Sequence, residues 1–315
     1  MFIGNEKILK SIWIFYILGI LSLIGLLLFA NPINNAKCWF EIPGIGSIQP
    51  SEFMKIIIII VLSKVLFNFH KKTSNPNIKD EFILILKVGG IVLLPAILTF
   101  LQPDTGAILI YLIITIIMLL VSGIRIRWFF LFGGILLFLI IIILFFYFFK
   151  EDLFINILGT DFFYRINRLL DWQSGEGMQY NNAIMAIGSA GLFGHGYFHT
   201  PIYFPEPQTD FIFACLASNF GLIGSILFIG LLILFDLKII NIGNKSNNIV
   251  NKYIIAGIMG MLIYQQIQNI GMTLGLLPIT GITLPFISYG GSSLLSYMLI
   301  AGIIFNISNE VLKKK

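Results

Sequence analysis

The chain is predicted to be an all-α, polytopic integral membrane protein, and three observations predict it. Of its 315 residues, 57% are hydrophobic and only 11% are charged, whereas water-soluble domains carry about 25% charged residues. Mean hydropathy is +0.94. Apolar runs recur along the whole length, each long enough to cross the roughly 30 Å hydrocarbon core as a helix. These runs are continuously apolar, and a lipid-facing barrel would need alternating polarity.

Eight spans are read in order, at approximately 11–30, 52–69, 82–101, 106–122, 127–149, 211–237, 251–272 and 285–307. The first follows Lys7 and Lys10, but its apolar core is longer than that of a secretory signal, so a retained helix is expected. Cys38 and Cys215 lie far apart and imply neither a disulfide framework nor a zinc site. One long stretch, about 150–210, does not span, and the whole chain reads as a single membrane domain.

With eight spans both termini share one side. That side holds Lys7, Lys10, Lys71, Lys72, Lys79, Arg125, Arg127, Lys238, Lys245, Lys252 and Lys313 to Lys315; the other holds only Lys37, Lys150, Arg165 and Arg168. The excess of thirteen to four predicts cytoplasmic termini by the positive-inside rule. It also accounts for the net charge of +5 without a nucleic-acid partner. The 31–51 loop, the Gln102-Pro103-Asp104 turn, the 150–210 loop and the 273–284 turn are then extracytoplasmic, and every unusual polar motif falls on that face.

The long loop carries Tyr164, Arg165, Arg168, Asp171, Trp172, Gln179 and a Gly-rich passage from Gly188 to Gly196. Loops of this length inside a compact protein are usually functional. Short amphipathic helices are expected over 162–172 and 181–190. The loop ends at Pro205-Glu206-Pro207-Gln208-Thr209-Asp210, which runs without a break into Phe211-Ile212-Phe213. Asp210 therefore sits where polar loop meets apolar helix, and a carboxylate beside hydrocarbon is costly enough to mark a functional candidate.

Other motifs have plain readings beside functional ones. Gln49-Pro50-Ser51-Glu52 with Lys55 is an ordinary helix start, with Ser51 read as the cap; Glu52 and Lys55 share a helix face and are expected to pair. Lys55 lies about a turn inside the span and must face protein or a wet cavity. Asp104 reads as a structural turn that caps the next helix. Gly290-Gly291-Ser292-Ser293 reads as close helix packing, or as the lining of a substrate groove. Gln265, Gln266, Gln268 and Asn269 make one helix unusually polar, for sugar binding or for bonds between helices. His195 and His199 are four apart, but their Gly-rich setting disfavours a metal-binding helix. Arg165 and Arg168 suit bidentate phosphate binding better than a loop salt bridge.

Five of these motifs, taken together, resemble the SEDS family of peptidoglycan polymerases, which includes RodA and FtsW. They are Gln49-Pro50-Ser51-Glu52-x-x-Lys55; Gln102-Pro103-Asp104-x-Gly106; the Gly-rich loop leading to Pro205-Glu206-x-x-Thr209-Asp210-Phe211-Ile212-Phe213; Asn269-Ile270-Gly271-Met272-x-x-Gly275-x-Leu277-Pro278; and Pro285-Phe286-Ile287-Ser288-Tyr289-Gly290-Gly291-Ser292-Ser293. Their order and spacing match, the resemblance runs from about residue 11 to 307, and its wording leans toward RodA. Two departures stand out: Cys38 replaces a usual arginine, and Ser218 and Asn219 replace two acids. Family members usually have ten spans, so the first two of that plan are expected to be missing.

The resemblance implies an inverting glycosyltransferase of the bacterial inner membrane that polymerises lipid II for cell-wall elongation and cell shape. Asp210 is implied as the catalytic residue. Arg165, Arg168, Lys37, Gln179, Glu206 and Ser288 are the candidates for binding substrate and its pyrophosphate. Mg²⁺ or Mn²⁺ is implied as a cofactor, and a class B penicillin-binding protein as transpeptidase partner. Two alternatives stay open: a lipid II transporter, which intramembrane charges such as Lys55 would also fit, and an inactive scaffold, which the lost acids would fit.

Overall fold

A computed structural model describes residues 5–32, 37–42, 44, 46–73, 75–160, 162–163, 166 and 178–313. Within them the eight expected spans are eight long helices: α1 (Asn5–Phe29), α2 (Pro50–Lys72), α3 (Ile78–Leu101), α4 (Thr105–Val121), α5 (Arg127–Phe149), α8 (Ile212–Lys245), α9 (Ile249–Thr273) and α10 (Gly291–Lys313). Two short helices, α6 (Glu151–Leu158) and α7 (Met178–Ser189), belong to the long loop. The expected 181–190 helix is thus α7. The expected 162–172 helix lies mostly outside the described residues. Strands β1 (Phe40–Ile42) and β2 (Gly46–Ile48) form a small antiparallel hairpin with Phe40 opposite Ile48, outside the spans.

Six of the long helices are long and apolar enough to cross a membrane by themselves. The exceptions, α4 with its 17 residues and the amide-rich α9, pack against each other and against α2. Nearly every residue of α2 from Pro50 to Leu66 is buried, and the core centres on this helix. Pro50 at N1 costs no hydrogen bond there. The cap is Gln49 rather than Ser51, which lies in the first turn. By contrast α5 buries none of its residues, as expected of a helix solvated by lipid. Its anchor is at its start, where Trp128 Nε1 donates to the buried Glu81 at 2.8 Å and Arg125 pairs with the same carboxylate at 3.4 Å.

Two boundaries differ from expectation for local reasons. The last helix begins at Gly291 rather than near 285, because Phe286 adopts φ +65° and Ser288 and Tyr289 bond to residues 208–209 instead of to a helix. Helix α8 runs to Lys245 but breaks at Gly221, whose φ is +66°. The Gly-rich loop fills that break. His195 N and Gly196 N donate to the carbonyls of Ser218 (2.9 Å) and Asn219 (3.1 Å), while Leu222 N and Ile223 N donate to Gly191 O (3.0 Å) and Leu192 O (3.1 Å). These are the four groups that two consecutive i→i+4 helix bonds would have used. A side chain at Gly194 would strike the Asn219 carbonyl, and one at Gly221 would strike the Gly194 amide. Glycine is required here both for conformation and for close approach.

Candidate active site

The segment from Pro205 to Phe211 is a tight turn. Glu206 has φ +53°, and its carbonyl accepts from Thr209 N and Phe211 N, each at 3.3 Å. Phe204 and Phe211 flank the turn and are buried against Ala183, Ala186 and Ala214, which fixes both of its ends on α7 and α8. Three other elements then hold its backbone. Gln179 Nε2 on α7 donates to Pro205 O at 3.2 Å. Tyr289 N donates to Gln208 O at 2.8 Å, and Ser288 Oγ to Thr209 O at 2.7 Å. Asn269 Nδ2 on α9 donates to Asp210 O at 2.9 Å and to Ile282 O at 2.8 Å.

Four carbonyls are thus tied down while the Asp210 carboxylate is left to face the 280–282 strand of loop. A methyl group placed on Gly281 would touch Asp210 Oδ2 at 3.6 Å. The side chain is half-buried, and both ion pairs among the described residues lie elsewhere. Burial, and secondarily the nearby Glu206 carboxylate, push its pKa up to about 6. Glu206 is exposed, and its Oε2 accepts from Thr209 Oγ1 at 2.9 Å. Two buried oxygens close by, Asn269 Oδ1 and Thr280 Oγ1, have no protein partner.

A second polar cluster joins α2, the start of α4 and α10. Lys55, fully buried, pairs with Glu52 at 2.8 Å, and Ser296 Oγ donates to the other Glu52 oxygen at 3.3 Å. The Lys55 ammonium also stands 5.8 Å from the centre of the Tyr297 ring, whose hydroxyl accepts from Gln265 Nε2 at 2.9 Å. Asp104 caps α4 through Ala107 N at 3.0 Å, as the turn reading expects. It does more: its Oδ2 accepts from Gln49 Nε2 and Ser51 Oγ, both at 2.9 Å. Burial raises its carboxyl above the ordinary range. Ser292 Oγ links Gln49 N to Ser47 O. The contacts of the Gly-Gly-Ser-Ser run are therefore made by its serines; Gly291 has open space around it.

The structure brings Asp210, Glu206, Gln179 and Ser288 together, with Gln179 and Ser288 holding the backbone. Lys37 lies on another segment, with Nζ 3.4 Å from the Leu27 carbonyl. Arg165 and Arg168 lie outside the described residues. Cys38, where the resemblance leads one to expect arginine, donates to Gln102 O at 2.9 Å; burial, then Asp104, push its thiol up to about 12, which leaves it inert as a nucleophile. Ser218 and Asn219 serve the α8 break: Ser218 O accepts from His195, and Asn219 Oδ1 from Thr200 Oγ1 at 3.1 Å.

Comparison with known proteins agrees with this architecture. The chain is 34% identical over 295 residues to Stage V sporulation protein E of Bacillus subtilis, covering 87% of this chain and 72% of that one. It is 35% identical over 314 residues to the probable peptidoglycan glycosyltransferase FtsW of Coxiella burnetii, covering 93% and 78%. Its fold superposes on a chain from a peptidoglycan synthase complex that coordinates polymerization and crosslinking, with a TM-score of 0.78, 23% identity, and 98% and 84% of the two chains covered. The sequence profile of the FtsW/RodA/SpoVE cell cycle proteins matches residues 1–313, and the chain belongs to that family.

Proposed function

We propose that this protein is a peptidoglycan glycosyltransferase of the bacterial membrane, with Asp210 as general base. The relatives named for this activity support the reaction class. One observation carries the assignment to Asp210: the turn that bears it is held from three elements, while its carboxylate is unpaired by any cation among the described residues and has its pKa pushed up to about 6 by burial and Glu206. A base of that strength is ionised at neutral pH and still takes up a proton better than an ordinary carboxylate.

In the proposed reaction the C4 hydroxyl of an acceptor GlcNAc attacks the anomeric carbon of the lipid-linked donor. Asp210 accepts the hydroxyl proton, the bond to pyrophosphate breaks, and inversion gives a β-1,4 link with undecaprenyl pyrophosphate leaving. Arg165, Arg168 and Lys37 are assigned to the pyrophosphate, where bidentate guanidinium contact and positive charge neutralise the leaving group. The described residues form no group of three His, Cys, Asp or Glu that would hold a resident ion. Mg²⁺ or Mn²⁺ would neutralise further charge on the leaving pyrophosphate, where magnesium is commonly held by substrate phosphates and few carboxylates.

The finer readings follow from this one. A class B penicillin-binding protein is the proposed partner, in keeping with the synthase complex whose chain this fold matches. The excess of Lys and Arg in the loops of one side supports cytoplasmic termini and an extracytoplasmic Asp210; a reporter at Lys315 should be cytoplasmic and one near Gly175 periplasmic, and the reverse would invert the site. The deciding experiment incubates purified protein with lipid II, with and without the partner. Glycan strands support the enzyme, lipid translocation without polymer supports a transporter, and partner binding without either supports a scaffold.

A further inference from the structure

At the opposite end of α8 from Asp210, a groove of about 480 Å³ opens between α4, α8 and α9. Helix α9 packs on both neighbours and forms its floor, brought close by Gly260 against Ile117 and Gly243 against Ile255. Lys252 and Asn244 stand at one end and Ile267 at the other. Both polar residues are exposed, and Lys252 has no ion-pair partner among the described residues. Ile263 and Ile267, farther along, are also exposed. Apart from Tyr264 and Met259 the rest of the lining is aliphatic or glycine, so the groove is a largely apolar channel with Lys252 as its one lining cation.

The lining selects the occupant. From Lys252 to Ile267 the helix rises about 22 Å, at roughly 1.5 Å per residue, and over that length the groove offers apolar surface suited to a hydrocarbon chain. At its end Lys252, unpaired among the described residues and with Asn244 beside it, offers a cation and a hydrogen-bond donor suited to an anionic headgroup. The mouth of the groove lies at the end of the bundle that carries the basic loops, beside Lys245 and the α8–α9 turn.

We propose that this groove binds one acyl chain of an anionic phospholipid, with the headgroup phosphate at Lys252 and Asn244. The orientation given above serves only to name the leaflet, which is the cytoplasmic one. Because α9 also carries Asn269, which holds the Asp210 carbonyl, the lipid braces the same helix that supports the candidate active site.

The test places full-length protein in phosphatidylcholine nanodiscs with a trace of phosphatidylglycerol carrying a photoactivatable acyl chain, and maps the cross-links. Cross-links should concentrate on residues 252–267 and on Ile117. Unlabelled phosphatidylglycerol should compete about fivefold better than phosphatidylcholine, the factor expected from the ~1 kcal/mol that one lysine contributes at an anionic surface. Lys252→Gln should erase that preference without moving the cross-links, and Ala256→Phe should displace them by filling the groove. Labelling spread equally over α3 and α5 would overturn the proposal, as would equal competition by the two phospholipids. Stronger competition by a polyprenyl phosphate would reassign the groove to the lipid-linked substrate. Since cross-linking and competition are read on the unmodified protein without substrate turnover, their failure is distinguishable from a failure of the glycosyltransferase assignment.

Discussion

The turn that carries Asp210 and the cluster around Glu52, Lys55 and Asp104 solve opposite problems with the same polar groups. In the cluster the side chains satisfy one another: Glu52 has Lys55 and Ser296, and Asp104 has Gln49, Ser51 and the Ala107 amide. In the turn the backbone is satisfied by Gln179, Ser288, Tyr289 and Asn269, while the carboxylate of Asp210 faces the 280–282 loop without a cation partner among the described residues. Fully paired charge deep in a bundle stabilises only if it stays paired. An immobilised backbone with an uncommitted carboxylate is what proton transfer needs. On the proposed function, the first region is architecture and the second is chemistry.

The largest effect that would break this division is at Asp210. Asp210→Asn should lower polymerisation by about 10²–10⁴-fold, the usual contribution of a general base. Wild-type activity should fall as pH drops through about 6, because only the ionised form accepts a proton. Stability should run the other way. A carboxyl whose folded pKa is raised stabilises the fold most below its ordinary value near 3.9, and that advantage is lost as pH rises through about 6. At pH 7 ionised Asp210 therefore weighs against folding by up to about 3 kcal/mol, and Asp210→Asn should melt no lower than wild type. Full activity in the purified variant would remove Asp210 from the chemistry.

Next in size is the ion pair. Lys55→Met or Glu52→Gln leaves one charge without its partner, at a cost of about 3–5 kcal/mol, so each should sharply reduce folded protein in the membrane. The double variant should recover part of the loss. Normal accumulation of both single variants, with activity gone, would move the pair from architecture to mechanism.

Asn269→Leu probes the clamp itself. It leaves the Asp210 and Ile282 carbonyls without their donor, each worth about 1–3 kcal/mol when buried. Misplacement of a reacting group by about 1 Å can cost on the order of 10²-fold, so kcat should fall by up to that factor while KM changes little. Asn269→Gln, which keeps the amide, should restore part of kcat. Unchanged turnover with a lower melting temperature would show that Asn269 only packs helices.

The sequence makes the spans and the exceptional place of Asp210 legible because both are local. Continuous apolarity marks a helix in lipid, and a carboxylate next to Phe211 is visible without any tertiary knowledge. What holds Asp210 is not local: Asn269 lies 59 residues from Asp210 and Ser288 lies 79 from Thr209, and both act on carbonyl groups that every residue has. The same holds for Ser51, read as a cap because of its neighbours and found instead on Asp104, 53 residues off. The stitched break in α8 has a sequence signal, glycines at 191, 194, 196 and 221. Nothing in their spacing says that they meet. Ser218 and Asn219, where the resemblance leads one to expect acids, lie at that break and serve the backbone exchange.

The smallest predicted effect is the most selective, because it touches the electrostatics of Asp210 without touching its support. Glu206 raises the Asp210 pKa, second to burial, and its side chain is exposed and accepts only from Thr209 among the described residues. Glu206→Gln removes the negative charge and keeps an oxygen for the Thr209 hydroxyl, while the turn stays anchored through the Glu206 carbonyl. The acid limb of the pH–rate profile should move to lower pH, and the plateau rate should change by less than about threefold, since this exposed side chain stands outside the clamp and charge effects at exposed sites are small. High salt should produce a shift in the same direction in wild type by screening the same repulsion, and little further shift in the variant. A limb that stays in place in Glu206→Gln would mean that the titrating group is not Asp210. A collapsed plateau with an unmoved limb would make Glu206 part of the substrate site and extend the chemical region by one residue.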